Sequence, residues 1–141
     1  HGGTHVYKVD PRNEDILIGM RDGMTGEFNL VPRKEAKVSV FDSCFMLGDG
    51  MWEGIRVYDG VIAFQQPHMD RLFEGAKAVD MDLACTKDEM IQMIYRTIDA
   101  NNMKDHVHIR LMVSRGLKPT PYQNPNTTLG KPLIVVVPEW K

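Results

Sequence analysis

Two segments of this sequence, a strand face carrying Trp52, Arg56 and Tyr58 and a helix carrying Arg71, have the residue types and spacing for one wall of a small-anion site. Arg71 stands beside Met69, Leu72, Phe73, Ala76 and Val79, which recur at helical spacing. From the flank of that stripe its guanidinium reaches along the domain surface. The planar fork of donors matches phosphate or carboxylate and keeps its charge at any relevant pH. An arginine beside an apolar stripe is also a common solvated surface residue, so the position gains meaning only with its neighbours. In the stretch 52–58, period two sets Trp52, Gly54, Arg56 and Tyr58 on one face and Glu53, Ile55 and Val57 on the other. Two aromatics, an arginine and a glycine make an odd core face. They suit either a ligand that needs close approach at Gly54 or an interface open to solvent. In the stretch 106–114, Val107, Ile109, Leu111 and Val113 point one way, and His106, His108, Arg110, Met112 and Ser114 the other. A polar face bearing Arg110 suits a carboxylate. The two histidines have a spacing that zinc sites use, but no third ligand is placed beside them.

Other motifs carry no reaction. Gly48-Asp49-Gly50 lacks the length, lysine and following helix of a phosphate-binding loop and reads as a sharp turn. No serine lies in a nucleophile-elbow context. Read alone, the residues assemble no complete catalytic constellation.

The elements that must position these side chains follow from pattern. Residues 16–20 form a short strand, 21–26 a turn cluster, and Phe28 and Leu30 a returning strand. Residues 32–37 are a charged loop, and Val38, Val40 and Phe41 open another extended piece before the Gly-Asp-Gly turn. Asp59-Gly60 is a two-residue hairpin signal between the 52–58 strand and a return over 61–64. Pro67 marks the first residue of a helix that carries Arg71 in its first turn. Thr86-Lys87-Asp88-Glu89 is a capping box for a second helix, with Met90, Ile91, Ile94 and Ile98 as its buried stripe and Asn101-Asn102 as its end. A loop rich in Pro, Asn and Thr over 117–130 leads to a last buried strand at 133–137. Strands, two helices, then strands predict a two-layer α+β domain, a mostly antiparallel sheet with both helices on one face.

Composition narrows the partners. The 141 residues suffice for one domain with its own core, and 43% hydrophobic and 26% charged residues are ordinary for a globular chain. A net charge of −2 with mixed signs leaves no footprint for nucleic acid or an anionic membrane. No apolar run approaches a membrane span. Cys44 and Cys85 are too few for a disulfide framework and are expected to be reduced, partly buried thiols of a cytoplasmic protein. The chain opens His1-Gly2-Gly3 and ends just after an apolar strand, so truncation is expected.

Taken together, Phe41-Asp42, Gly48-Asp49-Gly50, Trp52-Glu53-Gly54-Ile55-Arg56-Val57-Tyr58 and His68-Met69-Asp70-Arg71-Leu72 resemble the class IV (fold-type IV) pyridoxal-phosphate aminotransferases. That family includes branched-chain and D-amino-acid aminotransferases and aminodeoxychorismate lyase. The resemblance runs over 16–137. It implies pyridoxal 5′-phosphate as cofactor, an amino acid and a 2-oxo acid as substrates, and a homodimer. By position, Arg71 matches the arginine that grips the cofactor phosphate. Trp52 falls where the family lines its substrate pocket with tyrosine or phenylalanine. His108 and Arg110 match a Tyr-x-Arg pair beside the substrate carboxylate, with His108 a departure in size and protonation. Residues 117–130 hold no arginine, only Lys118 and Tyr122, which points toward the branched-chain-like scheme.

The resemblance also implies a missing part. The family's Schiff-base lysine belongs to a second domain and needs a desolvated site. Lys34, Lys37, Lys77, Lys87, Lys104, Lys118 and Lys131 all read as exposed helix or loop residues, and none matches that position. The expected organisation is an irregular segment over 1–14 and a small N-terminal domain over 15–141, with no catalytic residue and no metal ligand in the chain. The alternatives are a lyase-like enzyme on the same scaffold, or a stand-alone binding or interaction module.

Overall fold

A computed structural model describes residues 7–141. The strands are β1 (Leu17–Arg21), β2 (Phe28–Pro32), β3 (Gly50–Tyr58), β4 (Val61–Ile62), β5 (Val107–Ser114) and β6 (Leu133–Trp140). The helices are α1 (Ser43–Leu47), α2 (Gln65–Ala78) and α3 (Lys87–Ala100). The six strands make one sheet in the order β2-β1-β6-β5-β3-β4, antiparallel throughout. This is the α+β arrangement expected from the pattern.

Alternation sorts the sheet into two faces. Ile55, Val57, Ile109, Leu111, Val113, Ile134 and Val136 are each no more than 1% exposed. They meet Met69, Leu72 and Ala76 of α2 and Met90, Ile94 and Ile98 of α3 in one core. Each such aliphatic side chain contributes about 1.5–3 kcal/mol when withdrawn from water, which holds both helices on that face. Thr86 caps α3 as its motif demands: its hydroxyl accepts from the Glu89 amide at 3.1 Å, and the Glu89 carboxylate accepts from the Thr86 amide at 3.0 Å. Lys87 of α3 reaches Asp70 of α2 at 2.7 Å and ties the two helices. The Asp59-Gly60 turn has φ of 49° and 74°, the left-handed pair that closes a two-residue hairpin with the twist of its strands.

Several expectations are corrected. The 38–41 stretch is not a strand: Val38, Val40 and Phe41 are exposed, and Asp42 instead caps the short helix α1 by accepting from the Cys44 and Phe45 amides. An Asp followed by two free amides outcompetes a lone β-branched run. The return over 61–64 pairs only at Val61 and Ile62, because Phe64 turns left-handed (φ 52°) to start α2 at Gln65. Pro67 is therefore the third helical residue, Arg71 lies in the second turn, and Val79 falls outside the helix and the core. His106 precedes β5 with φ 56° and shares no strand face with His108. Ser114 is buried rather than presented with Arg110. Pro11–Asp15 form a 3₁₀ turn that crosses the expected boundary between 1–14 and 15–141; residues 1–6 lie outside the described residues. Cys44 is exposed, whereas Cys85 is half-buried.

Candidate active site

β3 organises the site because its two faces and one of its edges all carry function-bearing groups. Toward solvent it shows Trp52, Gly54, Arg56 and Tyr58. The register with β5 sets Gly54 opposite Arg110, Arg56 opposite His108 and Trp52 opposite Met112. Trp52, His108 and Arg110 thus come together on the face away from the helices. The Arg110 guanidinium lies 3.8 Å from the Trp52 ring centroid, a cation–π stack that holds both planar groups. A Cβ on Gly54 would stand 3.2 Å from His108 Nε2 and 3.6 Å from the Trp52 ring. The close approach that a glycine implied there is made by the His108 imidazole itself. Among the described residues neither the Arg56 nor the Arg110 side chain has an ion pair, so this face presents free cationic donors. Burial pushes the His108 imidazole below its ordinary pKa, and the nearby Lys141, Arg56 and Arg110 charges push the same way, against Glu139. Both effects favour the neutral imidazole, a hydrogen-bonding tip beside the two arginines.

Arg71 is not on that face. It stands on α2, on the helix side of the sheet, and meets Glu53, whose side chain points from β3 toward the helices. Arg71 Nε donates to Glu53 Oε1 and Nη2 to Oε2, each at 2.6 Å, and His68 Nδ1 lies 3.0 Å from Oε2. Glu53 only accepts and Arg71 Nη2, 3.4 Å from the same Nδ1, only donates; the shorter contact, to Glu53, assigns the His68 proton to Nδ1. The Arg71 hydrogen bonds hold the Glu53 carboxyl below the usual range; burial opposes this and His68 reinforces it. The sequence places Glu53 only on the face opposite Trp52. The signal available was a carboxylate on the Ile55/Val57 face, which requires cations, together with His and Arg three residues apart on the next helix.

Of the first cluster, Trp52 reaches the sheet edge where Glu53 and Arg71 stand; His108 and Arg110 do not line it. β4 pairs with β3 only at Val57 and Tyr58, so the edge of β3 is open from Gly50 to Ile55. Met51, Trp52, Glu53, Gly54, Arg71, Leu72 and Gly75 line a cleft of about 500 Å³ there. The Nε–Nη2 edge of Arg71 is taken by Glu53. Among the described residues its other edge, Nη1 with the second proton of Nη2, donates to no carboxylate or carbonyl; Nη2 stands 3.4 Å from His68 Nδ1, and the side chain is 70% exposed. That edge is a two-donor fork of the shape a phosphate accepts, so the donor set fits a phosphorylated cofactor.

Two further polar groups escape a reading of the sequence. Lys118, expected at the surface, is 1% exposed; its Nζ donates to the Asn124 carbonyl at 2.9 Å and to Thr127 Oγ1 at 3.1 Å, inside the 117–130 loop. Its partners are neutral and lie six and nine residues away in a loop without periodicity, so no local pattern announces them. Asp42 and Ser114, 72 positions apart, pair at 2.8 Å beneath α1, and the Gly116 amide donates to Ser43 Oγ at 3.0 Å. This network joins the approach to β3 with the exit of β5.

The fold is shared with solved aminotransferases. A branched-chain amino acid aminotransferase of T.th., crystallised with pyridoxamine 5′-phosphate, superposes with a TM-score of 0.71 at 26% identity, over 90% of this chain and 41% of that one. Among curated proteins, a branched-chain-amino-acid aminotransferase-like protein of Arabidopsis thaliana is 40% identical over 131 residues, 93% of this chain and 22% of that protein. A putative branched-chain-amino-acid aminotransferase of Methanocaldococcus jannaschii is 46% identical over 98 residues, 70% of this chain and 33% of that protein. The family model described as amino-transferase class IV matches residues 50–138, from the start of β3 nearly to the end of β6. The chain belongs to the class IV aminotransferases, and spans between about a fifth and two fifths of the length of these relatives.

Proposed function

We propose that this chain is the small domain of a pyridoxal-phosphate-dependent transaminase that moves an amino group between a branched-chain-like amino acid and a 2-oxo acid. The observation that carries the reading is an open strand edge where the Arg71 guanidinium shares a cleft with Trp52, whose ring stacks on Arg110 on the face that also holds His108. Arg71 binds the cofactor phosphate. Arg110 orients a carboxylate, His108 offers a hydrogen bond without adding charge, and Trp52 shapes the apolar side of the pocket. Bound pyridoxal 5′-phosphate would supply the electron sink for cleaving a bond at the amino acid's α-carbon. No lysine in residues 8–141 shows the environment of a covalent cofactor anchor: Lys118 is buried but engaged by two loop acceptors. The proton-moving lysine belongs in a second domain, and the short span against the relatives supports this organisation. The branched-chain preference is supported by the names of those relatives and by a 117–130 loop without arginine. The intact protein is read as a cytoplasmic homodimer; among the described residues no helix is long and apolar enough to cross a membrane.

The test is cofactor retention in the full-length protein. Arg71→Ala should weaken binding of pyridoxal 5′-phosphate by about 10–100-fold, the worth of charge-assisted hydrogen bonds, while Arg110→Ala leaves it near normal and raises KM for the amino acid. Equal cofactor content in the two variants would refute the assignment. Pyruvate release without an amino acceptor, followed with a coupled dehydrogenase, would replace transamination by lyase chemistry.

A further inference from the structure

We infer that Glu53 is a positioning residue for the cofactor phosphate, acting through Arg71, with His68 as its brace. The inference rests on the reading of Arg71 given above. A side chain that is 70% exposed ordinarily samples many rotamers, and a phosphate that captures it must order it first. Arg71 is ordered in advance. Both oxygens of Glu53, a residue only 5% exposed, hold the Nε–Nη2 edge at 2.6 Å, and His68 Nδ1 holds Oε2, the oxygen shared with Nη2, at 3.0 Å. Because the grip is on the Nε–Nη2 edge, the Nη1–Nη2 edge is the one left to a ligand.

The arrangement has a competing consequence. Glu53 also places a negative charge behind the guanidinium, which would repel a dianion. Positioning and repulsion predict opposite signs when the carboxylate is removed, so one variant decides between them.

The experiment titrates the full-length protein with pyridoxal 5′-phosphate and, separately, with pyridoxal, which lacks the phosphate. Binding is followed by cofactor absorbance, with the melting temperature as a folding control. Glu53→Gln should weaken binding of the phosphorylated ligand roughly three- to tenfold, the scale of ordering one long side chain, and leave pyridoxal unaffected. On an Arg71→Ala background the same change should do nothing further. Unchanged or tighter binding in Glu53→Gln, with Arg71→Ala still defective, overturns the positioning role alone. If Arg71→Ala itself binds normally, the phosphate assignment falls and the inference with it. A readout independent of any variant's folding is the Arg71 Nε proton of the wild-type protein by NMR. It should exchange slowly with and without ligand, and fast exchange before ligand binding overturns the inference.

Discussion

Single residues here owe their properties to groups on other elements. His108 is the clearest case: burial and the Lys141, Arg56 and Arg110 charges all lower its pKa. Its NMR titration should have a midpoint below 6.5, and Arg56→Gln should move that midpoint upward; an unmoved midpoint would show that Arg56 does not act on it. The unfolded chain then takes up this proton more readily than the folded one, so stability falls as pH drops below about 6.5. Glu53 has a related sign. Its folded pKa is lowered, so its contribution is fully present above about 4.5, the unfolded value, and is lost as pH falls through the folded value. Denaturant unfolding of Glu53→Gln should show a shallower loss of stability on the acid side than wild type. Only the residue types are readable in advance. Arg71 and Arg110 stand out as anion binders from their chemistry, but which ion pair Arg71 makes depends on a strand 18 positions away.

At the scale of elements, local rules and burial separate cleanly. The capping box of α3 is a four-residue motif, legible from its letters. Thr86→Ala should lower stability by about 1 kcal/mol without altering the core. Ile94→Ala, in the same helix but 0% exposed, should cost about 2–5 kcal/mol because it leaves a cavity among packed neighbours. Urea unfolding of the two variants ranks them; a cap that costs as much as the core substitution would contradict this division. The β3–β4 hairpin and the strict alternation of β5 are legible for the same local reason. The 38–41 segment misleads because its apolar residues are exposed, and only the partners of Asp42 tell that a helix begins there.

The whole molecule is a sheet with one face covered by the helices and the other open. The helix-covered face holds the core, while the opposite face displays Trp52, Arg56, His108 and Arg110. The 117–130 loop is held from within by Lys118, whose ammonium satisfies two acceptors and has no carboxylate partner among the described residues. Lys118→Met should remove the two ammonium hydrogen bonds, at about 1 kcal/mol each, while the Asn124 carbonyl keeps its bonds from Thr127, and should raise hydrogen exchange within 117–130 while β5 and β6 keep their protection. Protection lost evenly across the sheet would mean that Lys118 supports the fold rather than the loop.

The periodicities of the chain, two in the strands and 3.6 in the helices, already contained the two-layer α+β fold and the face alternation of β3 and β5; Trp52, His108, Arg110 and Arg71 were singled out by the family resemblance. Periodicity is a property of neighbours along the chain, and burying one side of each element follows from it. Which strand lies beside which is decided by long-range pairing: β6, last in sequence, sits between β1 and β5 in the middle of the sheet. The Glu53–Arg71–His68 cluster, the burial of Lys118 and the Asp42–Ser114 bond arise from that same assembly. Each brings together polar groups that no local pattern relates, because an ionised or hydrogen-bonding group can be buried only where the folded chain delivers its partner.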